Sequence, residues 1–207
     1  MPKSQFAPSR FQLVFATLAL LAALLVAGMA YYFAGPIQTA TGTGTALVGG
    51  PFSLTDQDGR KVTDKDFLGK YMLVFFGYTY CPDICPTELQ VMSAALDNLG
   101  AKADEIQPIF ITFDPQRDTP EVLKQYVTNF HPRLIALTGT PEEIAVAAKA
   151  YRVFYSKIEN SSGPDTYLMD HSTITYLMDR EGKFLKHFSY STDAAALALA
   201  LEKAIAP

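Results

Sequence analysis

The chain has 207 residues, 49% of them hydrophobic and 18% charged, with a net charge of −4. That is enough apolar material for one folded domain plus additional segments, and it excludes a globally disordered chain. No long basic run is present, so the phosphate-tracking surface of a nucleic-acid binder is excluded as well.

Residues 1–10 contain Lys3 and Arg10 and read as a cytoplasmic N-terminus. Residues 11–33 form an uncharged run rich in Leu, Ala and Val, and about 20 such residues cross a hydrocarbon core as a helix. No basic residue follows until Arg60, so the positive-inside rule exports everything after the run. The expectation is a single-pass anchor in the inner (cytoplasmic) membrane with the C-terminal domain on the periplasmic side. A cleaved signal peptide ending near Ala30 is the alternative, although signal cores usually run only about 7–15 residues. No Cys borders the run, which excludes a lipid-anchored lipoprotein. Residues 34–50 are Gly/Thr-rich and read as a flexible tether, with the folded domain spanning 51–207.

Residues 52–55 and 61–63 flank an Asp58-Gly59 turn and predict a hairpin. Residues 71–76 (YMLVFF) are a continuous apolar run, the pattern of a strand buried on both faces. Leu89, Met92, Leu96 and Leu99 recur at helical spacing, with Cys85 expected at the N-cap, Pro86 at the first helical position and Glu88 in the first turn. A strand over 108–113, a helix over 123–130, a strand over 134–137 and a helix from 140 to about 151 follow. A second hairpin (172–178 and 183–188) and a closing helix over 194–205, capped by Thr192 or Asp193, complete the chain. This order fits an α/β thioredoxin-like sheet, central and mixed, flanked by helices and carrying an N-terminal hairpin. Its sites lie beyond the carboxyl ends of the central strands.

The chain has two cysteines, Cys81 and Cys85. Two such close residues are a local redox or metal device rather than a stabilising framework, and a structural disulfide would close too small a loop to gain much entropy. With Cys85 at the helix N-terminus, its sulfur would face unpaired N–H groups and the positive end of the dipole, lowering its pKa. Thioredoxin-type oxidoreductases use two intervening residues, whereas this loop has three. Soft thiolates select Cu(I), Zn or Fe–S centres. Fe–S clusters usually need four cysteines and closed zinc sites four ligands, so two sulfurs plus one imidazole match low-coordinate Cu(I) best.

Of the three histidines, His131 reads as a solvated loop residue and His187 as a surface residue of a hairpin strand. His171 stands just before the strand over 172–178, where thioredoxin folds place a cis-proline against the active-site cysteines. No proline is present there. Asp170 could orient the imidazole or face the other side of the strand. Met169, which shares the alternation of His171, reads as core packing rather than an axial ligand.

Four stretches, GYTYCPDICPTEL (77–89), ITFDPQRDTP (111–120), LTGTPEEI (137–144) and YLMDHSTITYLMDREGKF (167–184), resemble the Sco/SenC family over roughly residue 51 to the C-terminus. The resemblance implies a thioredoxin-like fold holding copper, as Cu(I) and also as Cu(II), on Cys81, Cys85 and His171. It implies work on the copper A centre of cytochrome c oxidase subunit II, as a copper donor or as a reductant of that centre's cysteines. Other periplasmic copper chaperones or thiol reductants are implied as further partners. Family members often carry Asp at the position of Thr166, where here Asp165 precedes it, a departure that touches partner contacts but no ligand. The segment 114–120 reads as a loop and helix start, with Asp118 or Thr119 as N-cap, or as a partner-docking element.

The main rival is an exported thiol–disulfide oxidoreductase using Cys81 and Cys85 catalytically, for which His171 would be dispensable. A thiol peroxidase is a more distant rival: it shares the fold, but only Thr79 before Cys81 matches its pattern, and the chain has no Trp.

Overall fold

A computed structural model describes residues 10–33, 47–158 and 167–205. The chain divides into two units, Met1–Thr43 and Gly44–Pro207. In the first, helix α1 spans Arg10–Phe33, 24 residues. Its described side chains, Phe11 and residues 13–29, are all exposed. Among the described residues no helix is long and apolar enough to cross a membrane; the helical backbone of α1 extends beyond those side chains to Phe33. Residues 1–9 and most of the expected tether, 34–46, lie outside the described residues. The last tether residues are bound to the fold: Gly49 N–H donates to the Ala150 carbonyl (2.9 Å), and Arg152 Nε donates to the Leu47 carbonyl (3.0 Å).

The second unit is built on a seven-stranded mixed sheet. The predicted first hairpin is β1 (Ser53–Asp56) and β2 (Lys61–Thr63), antiparallel, with Leu54 opposite Val62. Asp56 Oδ1 accepts the N–H groups of Asp58 and Arg60, and Gly59 sits at φ +79°, a left-handed turn position that favours glycine. The apolar run becomes β3 (Tyr71–Gly77), flanked by β4 (Ile106–Thr112) in parallel and β8 (Ile174–Met178) in antiparallel. β5 (Ile135–Thr138) pairs in parallel with β4 and antiparallel with β1, and β9 (Phe184–Ser189) closes the far edge beside β8. The order is β2-β1-β5-β4-β3-β8-β9. Met72 to Phe76 are all buried, because β3 lies inside the sheet with both faces covered.

Helix α2 (Ile84–Leu99) follows β3 and packs with α5 (Ala194–Ile205). Helix α3 (Pro120–Tyr126) precedes β5, and α4 (Pro141–Tyr151) opens with a Thr140/Glu143 capping box. Asp193 caps α5 by accepting the Ala196 N–H at 2.8 Å. Two expectations are corrected at α2. The helix begins at Ile84 with Asp83 at the N-cap, so Cys85 and Pro86 are its second and third residues. Proline is tolerated there because first-turn N–H groups have no intrahelical acceptor. Glu88, expected in the first turn, lies beyond it and is buried, accepting a hydrogen bond from Thr175 of β8 at 2.7 Å.

A two-stranded ribbon, β6 (Tyr155–Ile158) with β7 (Leu168–His171), was not predicted. Its four-residue strands are separated by the polar segment 159–166 and carry too short an alternation to stand out. His171 therefore ends a ribbon strand, and the next sheet strand starts only at Ile174.

Phe75 has no exposed surface and lies 6.3 Å, centroid to centroid, from Phe110. Phe75→Ala is expected to remove about 3–5 kcal/mol of stability, measured by urea unfolding. A loss below about 1 kcal/mol would contradict a central position for β3.

Candidate metal centre

The chain leaves β3 at Gly77, and a side chain there would collide with the site. A Cβ on Gly77 would lie 2.8 Å from the Cys85 sulfur and 2.8 Å from Phe110 Cε2. The loop that follows is held at several points. The buried Tyr78 hydroxyl accepts the Met169 N–H at 3.2 Å, joining the loop to β7. Thr79 donates to Asp118 through its N–H (3.0 Å) and its hydroxyl (2.5 Å). The Cys81 N–H reaches the Tyr78 carbonyl at 3.3 Å. The Cys85 N–H, one of the unpaired donors of the first turn of α2, is accepted by the Cys81 sulfur at 3.3 Å.

His171 comes from the other side. Its Nε2 lies 3.8 Å from the Cys85 sulfur, and its Nδ1 lies 3.1 Å from the Ser172 carbonyl oxygen. A carbonyl can only accept, so Nδ1 carries a proton and Nε2 is the nitrogen turned towards the sulfurs. The ring is boxed by Phe113 at 4.9 Å and Tyr78 at 6.0 Å, and Phe113 in turn stacks on Tyr155. One ligand atom each from Cys81, Cys85 and His171 falls within 4.8 Å of the others, and both cysteines are free thiols. Cys85 is fully buried and Cys81 is 9% exposed.

The two sulfurs differ in charge, and not as the sequence suggests. The Cys81 pKa falls to about 3, chiefly because the Cys85 thiol donates to its sulfur, with further help from His171 and the backbone N–H groups of Asp83 and Cys85. Burial opposes this but loses. Cys85, as the donor of that hydrogen bond and deep in the core, has its pKa pushed well above the ordinary thiol range. The expected low pKa at Cys85 is thus corrected. Within the first turn of α2, the Cys85 N–H is accepted by the Cys81 sulfur. Burial lowers the His171 pKa, but the Cys81 sulfur and the Ser172 carbonyl outweigh it and the net direction is up.

The other expected residues divide clearly. Asp170 is exposed and pairs with Ser156 across the ribbon, facing away, and the orienting partner of His171 is the Ser172 carbonyl. Met169 packs against the core. His131 is no solvated loop residue: its N–H donates to Ser93, and its Nδ1 accepts the Arg133 N–H. It takes no part in the cluster, and neither does the exposed His187. Thr119 caps α3. Asp114 accepts the Tyr167 hydroxyl (2.6 Å) and Arg117 Nε (2.5 Å), and Asp114 and Asp118 are buried and turned inward. Thr166 and Asp165 lie outside the described residues. Sequence reasoning missed Tyr78 and Arg117. The guanidinium of Arg117 lies 3.6 Å from the Tyr167 ring centroid and 4.6 Å from that of Tyr80. Arg117 with Tyr78, Tyr80 and Tyr167, all in the quoted stretches, are the signal the sequence offers.

The SCO1/SenC family profile matches residues 40–206. The chain belongs to the SCO1/SenC family. It is 44% identical over 162 residues to the mitochondrial SCO1 homolog 1 of Arabidopsis thaliana, covering 78% of this chain and 48% of that protein. The chain therefore spans about half the length of that relative. Among solved structures, copper-bound ScoI of Bradyrhizobium japonicum is 46% identical with a TM-score of 0.70, covering 75% of this chain and 98% of ScoI. BsSco, described with a disulfide switch and as a member of the Sco family of cytochrome c oxidase assembly proteins, is 25% identical with a TM-score of 0.59. That match covers 76% of this chain and 93% of BsSco. These structures share the thioredoxin-like fold expected from the sequence.

The asymmetry of the sulfurs has a direct chemical consequence. An ordinary thiol ionises near pH 8.5, so at pH 5 it is almost wholly protonated and unreactive. A folded-state value of about 3 keeps Cys81 a thiolate at that pH, while Cys85 stays a thiol. Iodoacetamide on the reduced apo chain at pH 5–6 should therefore modify Cys81 in preference to Cys85. Peptide mass spectrometry resolves the two positions, and earlier labelling of Cys85 would reverse the assignment.

Proposed function

We propose that this chain is a membrane-anchored copper carrier that binds one Cu(I) through Cys81, Cys85 and His171 and serves assembly of the copper A centre in cytochrome c oxidase subunit II. The observation that carries this is the cluster of two thiols and one imidazole within 4.8 Å in a chain of this family. The donor set fits the ion: two soft sulfurs and an imidazole nitrogen at a largely buried site suit Cu(I), whose preference for thiolates is strong. Loading would displace the Cys85 proton and any proton held on the His171 ring at Nε2, so Cu(I) uptake is coupled to proton release. Relatives with copper bound, and one described with the oxidase assembly family, support the reading.

The anchor is part of the same proposal. It rests on the sequence: residues 11–33 are an uncharged run, and about 20 apolar residues cross a hydrocarbon core of about 30 Å as a helix. With Lys3 and Arg10 on the N-terminal side, the folded unit lies on the periplasmic face of the inner membrane. A second reading, reduction of a disulfide in the acceptor, is favoured by the Cys81 thiolate beside a Cys85 thiol. Cys81 would attack the acceptor disulfide, and Cys85 would resolve the mixed disulfide. The acceptor then leaves as a dithiol, and Cys81–Cys85 remains as the disulfide.

A reporter enzyme fused after Pro207 should be active only outside the cytoplasm, with the full chain recovered in membranes. A soluble mature chain starting near Tyr31 would remove the anchor from the proposal.

His171 separates the two chemistries. The reduced chain should hold one Cu(I), lost in Cys81→Ala and Cys85→Ala and weakened roughly tenfold or more in His171→Ala, since a ligand and its oriented lone pair are gone. His131→Ala and His187→Ala should leave binding unchanged. Cells carrying His171→Ala should lack assembled copper A oxidase, partly restored by added copper, while Cys81 and Cys85 still cycle between dithiol and disulfide. Full oxidase activity without added copper would favour the reductase reading.

A further inference from the structure

Asp118 lies at the start of α3, 37 residues beyond Cys81 in sequence, and has no exposed surface. Helix capping does not explain it, because Thr119 supplies the cap of α3 by accepting the Val122 N–H. Its carboxylate is turned instead to the thiol loop and the end of β4. One oxygen accepts the Thr79 hydroxyl at 2.5 Å. The other accepts the Thr79 N–H at 3.0 Å and the Thr112 hydroxyl at 2.5 Å. Its own N–H donates to the Asp114 carbonyl at 3.0 Å, which fixes the turn that presents it.

Three donors therefore converge on one carboxylate, with two of them from Thr79, two residues before Cys81. A carboxylate is an acceptor at every lone pair, so it can take all three, whereas an amide would turn an N–H towards at least one donor. Burial pushes the Asp118 pKa up, and the facing groups named above, together with the nearby Asp114 carboxylate, are what the side chain meets. Arg117, the adjacent cation, makes its ion pair with Asp114.

We propose that Asp118 is a positioning residue for the metal centre. Through Thr79 it holds the loop so that the Cys81 sulfur already lies over the first turn of α2, within reach of Cys85 and His171, before any metal arrives. Preorganisation of this kind raises affinity by removing the ordering cost of the loop from the binding step. The proposal rests on the copper-binding reading above and adds the residue that sets its affinity.

The test compares the full chain in detergent as wild type, Asp118→Ala, Asp118→Asn, Thr79→Val and the double variant Thr79→Val/Asp118→Ala. Cu(I) affinity is read by competition with a chromophoric Cu(I) chelator, and thermal stability separately. Expected are a loss of at least tenfold in Cu(I) affinity for Asp118→Ala, a severalfold loss for Thr79→Val, and an intermediate loss for Asp118→Asn. The double variant should bind no more weakly than Asp118→Ala alone, because both changes cut the same link. A merely structural role would lower the melting temperature of folded Asp118→Ala and leave its Cu(I) affinity at the wild-type value, and that result overturns the proposal. Should Asp118→Ala fail to fold, Thr79→Val and Asp118→Asn decide in the same way, with unchanged affinity in both overturning it. Wild-type chain that takes up no Cu(I) would overturn the copper reading itself, a result distinct from wild-type binding with no response to these substitutions.

Discussion

The first turn of α2 carries backbone N–H groups that no intrahelical carbonyl can reach, and the Cys81 sulfur accepts one of them from Cys85. A sulfur in that position does what a serine or aspartate oxygen does at an ordinary N-cap, and Asp83, the actual N-cap residue, makes no such side-chain bond. Much of the site depends on this contact. It adds to the larger effect of the Cys85 S–H in stabilising the Cys81 thiolate, and the thiolate in turn holds the Cys85 proton on its own sulfur. Three intervening residues allow it: with α2 starting at Ile84, Cys81 stays outside the helix while Cys85 is inside, one turn away. Gly77 makes room for the second sulfur, since any Cβ there would occupy its place.

The imidazole must then be brought to the two sulfurs from 86 residues further along the chain, and two hydrogen bonds lock the segments together. Tyr78 ties the loop to β7 just before His171, through the Met169 N–H. Glu88, one turn beyond Cys85, ties α2 to β8 just after His171, through Thr175. Glu88 is a costly residue to bury, and burial pushes its carboxyl pKa up. Its second oxygen has no partner, which a protonated carboxyl tolerates better than a carboxylate does. The histidine is thus anchored on both sides of its short strand, and Phe113 and Tyr78 fix the plane of its ring.

Period and punctuation carried most of the fold. The unbroken apolar runs at 71–76 and 108–113 became paired inner strands, and the Thr-Pro pairs at 119–120 and 140–141 became helix starts. The ribbon of β6 and β7 escaped because four residues hold only two repeats of a strand pattern, too few to rise above chance. At the site, the clustering of Cys81, Cys85 and His171 was legible, but the distribution of charge between the sulfurs was not. That distribution is set by which thiol donates to the other, and α2 starts at Ile84 rather than at the expected Pro86, helix ends being the least determined feature of a sequence. The same limit hid Asp118: its sequence position suited a cap, and only the folded chain shows Thr119 capping while Asp118 reaches Thr79.

The two chemistries considered for the centre begin at the same atom. Cys85 is sealed in the core, whereas Cys81 borders a groove of about 520 Å³ between Tyr80 and Pro82 on one side and Val122 and Asn129 on the other. An incoming thiol that exchanges for a metal ligand and an incoming disulfide that accepts electrons must both approach the sulfur that borders solvent and is ionised. Up to that contact the geometry serves ligand exchange and thiol–disulfide exchange equally. They diverge at His171, which offers an oriented lone pair to a metal and has no bond to make or break in a dithiol reaction. A protein selected only for thiol exchange has no need of a third donor aimed at its sulfurs, boxed by two aromatic rings and held by a carbonyl on its far nitrogen. The structure that surrounds His171 therefore weighs towards a centre organised for a metal ion.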